Sequence, residues 1–343
     1  MRLKELLLRE QVLVFFFCFA VIFGPAISVL FANDLSQFTD CKTYTGLANF
    51  DFEQSAVRRY RVIIPFMASG LNYIGGGLFN KLAPTHFIGN FSLPFSFFLL
   101  NTTIMSLFGC MVYRYCRAFS LSRFAAVIGT LFVLSARYTA YFAALPFIDS
   151  LFCLVVAMTL TGIKEQNPKM LLFCLFLGPF AKESYIFIAP MIFFFGPFNK
   201  WRLTGWFALS GILVFSYHFL YDYLYPPTIV GWFMAEFYHV YFLKKGLAML
   251  FSFYGIYKIF INIGLWLLLP VIACYFSPAL RQKLRQYFNA PILYFIGAVV
   301  FQMMLSLSME RMFYLMMPVM AVVMAMGFDE MRKMVIKKKN YFE

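Results

Sequence analysis

Gln11 to Ala32 reads QVLVFFFCFAVIFGPAISVLFA, 22 residues with no charged side chain. As a helix it would rise about 33 Å at roughly 1.5 Å per residue, enough to cross a hydrocarbon layer about 30 Å thick. The segment before it, MRLKELLLRE, is basic. The apolar run is longer than the core of a secretory signal, about 7–15 residues, and no small-x-small cleavage site follows. We therefore read it as a retained first span.

The rest of the 343-residue chain repeats that character. Hydrophobic residues make up 62% and charged residues only 13%, about half the charged share a soluble domain needs to keep its surface wet. The net charge of +14 would suggest nucleic acid on a soluble protein. Here the basic residues fall in short clusters between apolar runs, the pattern of cytoplasmic membrane loops, which excludes nucleic acid as the partner. The seven cysteines show no metal or disulfide framework: Cys18, Cys110, Cys153, Cys174 and Cys274 lie inside apolar runs, and Cys41 and Cys116 fall on opposite sides of the membrane.

Runs that qualify as spans, or nearly so, are 11–32, 91–113, 124–145, 148–163, 203–224, 255–277, 290–308 and 312–330, with ambiguous stretches at 62–80 and 170–198. Charge arbitrates. Arg2, Lys4 and Arg9 keep the N-terminus inside, and Arg114, Arg117 and Arg123 do the same for the loop after 91–113. Residues 33–90 are then outside, and 62–80, with Pro65 and Gly75-Gly76-Gly77, is a broken re-entrant or interfacial segment. Lys164, Lys169, Lys200 and Arg202 put both flanks of 170–198 inside, so this stretch folds as two short helices turning at Ala181-Lys182-Glu183-Ser184. The fold class expected is all-α, a single membrane domain (1–343) of about ten membrane helices with both termini cytoplasmic.

This topology gathers ionisable residues on the outer side, where such groups at membrane depth are costly and usually functional. His86, Glu236 and His239 fall there too. Asp40, Tyr44 and Ala48 share one face of a short helix at i, i+4, i+8 spacing. Asp40 is the first candidate for a general base and Asp34 the second. Three arginines in Arg58-Arg59-Tyr60-Arg61 lie outside against the charge rule, and guanidinium grips phosphate in a forked geometry. Asp149 opens a span, where it also suits a helix N-terminus. Lys182 and Glu183 are adjacent, so on a helix they face apart and each needs another partner. Glu310-Arg311 reads as an outer turn or a second phosphate clamp. No cofactor is read from the residues, which leave a divalent metal open.

In this order the features resemble the small bacterial members of the GT-C superfamily of membrane glycosyltransferases. They are a first span, an outer loop with Asp34 and Asp40-x-x-x-Tyr44, the arginines at 58–61 with Pro65, Pro146-x-x-Asp149, Lys182-Glu183, and Glu310-Arg311 with Pro318. The resemblance implies transfer of a sugar from a polyprenyl-phosphate donor to a lipid, glycan or protein acceptor on the outer face of a bacterial cytoplasmic (inner) membrane. It makes Asp40 or Asp34 the base and gives the lipid phosphate to Arg58, Arg61 and Arg311. The rival reading is a transporter or lipid flippase, which would need a path open from both sides rather than one outer site.

Overall fold

The computed structural model describes residues 2–54, 58–83, 91–226, 243–306 and 308–339; His86, Glu236 and His239 lie outside them. Among the described residues all regular structure is helical. Five stretches are long and apolar enough to cross a membrane: Arg9–Ala32, Ser92–Ala118, Lys200–Leu224, Phe253–Phe276 and Met309–Val335. Two bent pairs raise the number to seven if each is one span. This is the architecture of a polytopic helical membrane protein.

The bundle is built around α4 (Ser92–Ala118), which runs antiparallel to α1 (Arg2–Ala32). Phe23 packs on Phe98 with ring centroids 5.2 Å apart, Phe31 meets Phe91 at 5.9 Å, and Glu10 accepts a 2.6 Å hydrogen bond from the Tyr113 hydroxyl. One end of the bundle is therefore basic. Arg114 grips Glu165 there with two hydrogen bonds, and Arg123 reaches Glu10. Helices leaving this end begin with polar caps. Ser122, Asn167, Asn199 and Asn289 accept backbone N–H groups at the starts of α5 (Arg123–Leu134), α8 (Pro168–Ala181), α10 (Lys200–Leu224) and a later helix at Ala290–Leu305. Such caps satisfy N–H groups that no preceding turn can use, and Pro168 adds a ring already set for the first helical turn.

The sequence places a break in 62–80. The structure instead has one uninterrupted helix, α3 (Ile63–Lys81), which follows the short α2 (Thr39–Ala48). Pro65 lies in the first turn, where no hydrogen bond is lost. The glycines serve contact rather than breakage: a Cβ on Gly76 would sit 3.4 Å from the Ser92 hydroxyl oxygen. Both ends of α3 lie away from the basic end. Phe66 packs on Phe50 and Phe52, and Asn80 accepts the Ser92 N–H at 2.9 Å, so α3 does not traverse the bundle.

The expected span 124–145 is not one straight helix. It is two helices, α5 and α6 (Arg137–Ala144), bent by 67°. The Thr139 hydroxyl bonds Val133 O at 2.6 Å and the Tyr314 hydroxyl at 2.6 Å, which pins the bend to the core. After α7 (Asp149–Lys164), α8 rises from the basic end and stops at Ala181. The chain returns through a 3-10 turn at Glu183–Phe187 and α9 (Pro190–Phe195), where Phe195 O meets the Gln166 amide. The hairpin tip thus falls at Lys182-Glu183.

Beyond α10 come α11 (Leu243–Leu250), α12 (Phe253–Ile263), α13 (Leu268–Phe276), α14 (Pro278–Tyr287) and α15 (Ala290–Leu305). Glu310-Arg311 is not a loop turn. It lies within α16 (Met309–Phe313), which leads through a 3-10 turn into α17 (Met317–Lys339). Helices α4 and α17 are largely buried, whereas α10 exposes Ile212, Phe215 and Phe219, an apolar surface that suits lipid.

Candidate functional site

Four segments deliver charge to one place opposite the basic end. Asp40 comes from the first turn of α2, Asp149 from the start of α7, Lys182 from the hairpin tip and Arg311 from α16. Arg311 binds both carboxylates: Nη1 donates to Asp40 Oδ2, while Nη2 and Nε (3.1 Å) donate to Asp149 Oδ2. Lys182 Nζ donates to Asp149 Oδ1 at 2.9 Å, and Arg58 Nε meets Asp40 Oδ1 at 2.5 Å. All four carboxylate oxygens are engaged. Three cations face two carboxylates, an excess of one positive charge.

Local structure explains the convergence. The loop before Asp149 is held by Asn101, a polar residue inside α4. Its Nδ2 donates to Leu145 O at 2.9 Å and Phe147 O at 3.0 Å, and its Oδ1 accepts from Ser150 at 2.6 Å. Phe147, held by this loop, lies 4.6 Å beneath the Arg311 guanidinium. Asp149 and Lys182 are only 3% and 7% exposed. Counting along α7, Asp149 stands about 22 Å from Lys164 at the basic end.

The three arginines expected to act together have three separate partners. Arg58 goes to Asp40. Arg61 donates from Nε to Glu183 at 2.8 Å and from Nη1 to the Tyr44 hydroxyl at 3.0 Å. Arg59, to which the resemblance gives no role, is 1% exposed and bonds Asp222 and Tyr225 O. Tyr60 reinforces it, donating to Asp222 at 2.8 Å and stacking on His218 at 3.8 Å. This latch ties the chain before α3 to the end of α10.

Protonation follows from these contacts. Burial pushes the Asp40 carboxyl up, but the Arg311 and Arg58 guanidiniums outweigh it and hold the group below the usual carboxylate range. Burial pushes the Tyr44 phenol up to about 12 against the pull of Arg61. Both groups keep their ordinary charge at neutral pH. Asp34 stands apart from the cluster. Exposed, it caps the turn Leu35–Gln37 by accepting the Ser36 N–H at 2.9 Å, so a local capping role accounts for it. Glu310 accepts from Lys258 at 3.0 Å and Tyr138 at 3.2 Å, turned away from the Arg311 cluster.

A largely apolar cavity of about 610 Å³ lies between α8, the returning hairpin arm and α10. Leu175, Pro179, Phe207, Val214 and Phe215 line it, with Glu183 and His218 at its polar end. Its wall on α10 runs from Phe207 to Phe219, about 18 Å of helix. Glu183 thus joins the cavity to Arg61. Among the described residues, no three His, Cys, Asp or Glu side chains converge as metal ligands would.

What sequence reasoning missed are Asn101, Arg59 with Asp222, and Lys258. Asn101 had a signal, a lone amide in an apolar span, where such residues bind neighbouring segments. No family model matches the chain, and neither does any curated protein or solved structure.

Proposed function

We propose that the protein is a membrane glycosyltransferase that takes its sugar from a polyprenyl-phosphate donor at the outer face of the cytoplasmic membrane. In this reading about ten helices lie in the membrane, the basic end is cytoplasmic, and the charged cluster lies near the outer edge of the hydrocarbon. The observation that carries it is the pairing of a buried cluster holding one excess cation with an apolar groove leading up to its neighbour Glu183. A lipid phosphate needs both features. The chain lies in an apolar trough, and its anionic head meets guanidinium groups that stabilise it further as a leaving group.

Arg58 is the least buried of the cluster cations, at 30% exposure, and it receives the phosphate first, with Arg311 behind it. Asp40, held by both, positions these arginines rather than taking a proton. Arg61 is committed to Glu183 and Tyr44 and shapes the groove mouth. A transporter needs alternating access through the bundle, whereas apolar side chains such as Phe108, Val112 and Val156 pack the space below the cluster without exposure.

Mass spectrometry of the protein purified in mild detergent tests this reading. A polyprenyl-phosphate species should accompany the wild type and be lost from Arg58→Ala, whose partly exposed side chain leaves the fold intact. Absence of any such lipid, or its retention in Arg58→Ala, would refute the reading.

A further inference from the structure

The apolar cavity beside α10 exists because one position on that helix has no side chain. Phe207, Gly211, Val214, Phe215 and His218 recur at the spacing of a single helix face, and all of them line the cavity. Gly211 stands in the middle of this stripe. Its backbone is ordinary helix, and a Cβ added there would meet nothing within 4 Å. Neither conformation nor a close helix contact therefore calls for glycine, which weakens a helix relative to alanine. Ser210 pins α10 to α8 by donating to Leu175 O at 3.0 Å, yet the space over Gly211 stays open. Pro179 and Pro190 stand on its other walls, and their rings have no side-chain freedom with which to swing in and fill it. Ile186, Phe215 and Phe219 are 68%, 65% and 63% exposed, so the space opens sideways toward lipid.

Gly211 also divides the cavity along its length. At the helical rise of about 1.5 Å per residue, His218 at the polar end lies roughly 10 Å from Gly211, and Phe207 lies roughly 6 Å beyond it. An extended geranyl chain covers the first interval. A farnesyl chain passes Gly211 into the second, and a longer prenyl chain runs out beyond Phe207. A cavity of 610 Å³ over about 18 Å averages about 34 Å² in section. That is about twice what a bare methylene chain fills when its neighbours sit about 4 Å away. The surplus accommodates methyl branches.

We infer that Gly211 is the residue that fits this groove to an isoprenoid chain, and that the protein reads only about the first three isoprene units next to the phosphate. Resting on the transferase reading, Gly211 gives the donor site both a length and a chain type. The head of the chain lies at Glu183 and His218, beside the charged cluster, and the third unit lies past Gly211 against Phe207. The remaining units of a long polyprenyl chain stay among lipid tails and add no preference.

Native mass spectrometry in mild detergent tests this, with geranyl, farnesyl or geranylgeranyl monophosphate added at one mole fraction of the detergent and the bound probe counted. In the wild type, farnesyl phosphate should bind about ten-fold more tightly than geranyl phosphate, or 1.4 kcal/mol, and geranylgeranyl phosphate about as tightly as farnesyl. Dodecyl phosphate, with farnesyl's main-chain length and no branches, should bind at the geranyl level. Gly211→Leu fills the space. It should unfold at the same or a higher temperature, bind geranyl phosphate unchanged and lose the farnesyl advantage. Gly205→Leu, whose new Cβ also meets nothing within 4 Å but which does not line the cavity, should leave every affinity unchanged. Affinity that climbs evenly from geranyl to geranylgeranyl, equal binding of dodecyl and farnesyl phosphate, or a farnesyl advantage that survives in Gly211→Leu would overturn this role of Gly211. Arg58→Ala should weaken the three prenyl phosphates alike. A farnesyl advantage that depends on Gly211, with farnesol bound as tightly as farnesyl phosphate, would keep the groove and sink the phosphate donor. Prenyl phosphates weakened by Arg58→Ala but indifferent to Gly211→Leu would do the reverse.

Discussion

Replacing Asp149 by Asn removes one negative charge from the centre of the cluster while keeping the side chain's shape. In the wild type, Arg58, Lys182 and Arg311 oppose Asp40 and Asp149, three positive charges against two negative. The variant leaves three against one, and Lys182, with a side chain 9% exposed, loses its counter-ion. Removing one partner of a buried pair typically costs about 3–5 kcal/mol, and burial of Asp149 at 4% side-chain exposure puts this case in that range. Lys182→Met runs the other way. It leaves two charges of each sign and forfeits one hydrogen bond to a charged group, a loss of about 1.5–3 kcal/mol. The double variant Asp149→Asn/Lys182→Met has two positive charges against one negative, the wild-type excess. It should therefore be more stable than Asp149→Asn alone. SDS titration of the protein in mixed micelles, followed by far-UV circular dichroism, gives the three differences. Equal losses in the two single variants, or losses that simply add in the double, would refute the charge argument.

Acidification should act through Asp40. Its folded carboxyl lies below the ordinary range, so near pH 4 the unfolded chain binds more protons than the native one. Stability is then full above that pH and falls as pH drops further; in Asp40→Asn the acid limb of the pH-stability curve should flatten. Gly129→Ala would set a Cβ 2.5 Å from Ala321 O, pushing α5 off α17. Thermal unfolding should show a loss of about 1–3 kcal/mol, and an unchanged Tm would mean the two helices are not so close. The proposed orientation predicts that a membrane-impermeant maleimide on intact cells labels Ser36→Cys, just past α1, and leaves Arg202→Cys, at the basic end, unlabelled. The reverse pattern would invert the topology.

How far the sequence could be read depended on the range of the physics involved. Apolar runs announce themselves because each span must satisfy its own backbone in lipid, and the hairpin tip at Lys182-Glu183 followed from charge on both flanks of 170–198. Partners across the chain did not announce themselves. Arg311 and Asp40 are 271 residues apart, and Arg59 and Asp222 163 apart, distances over which no local pattern operates. The errors share a cause. Gly75-Gly76-Gly77 was taken as a break because glycine loosens helices in water, whereas between apolar helices it lets backbones close up, as Gly76 does on Ser92. Asp34 carries a local signal as well: an Asp two residues before a free N–H is a ready cap, and Asp34 accepts the Ser36 N–H in that way. The bend at Ser135-Ala136 leaves no mark of its own, since Thr139 and Tyr314 impose it from the core.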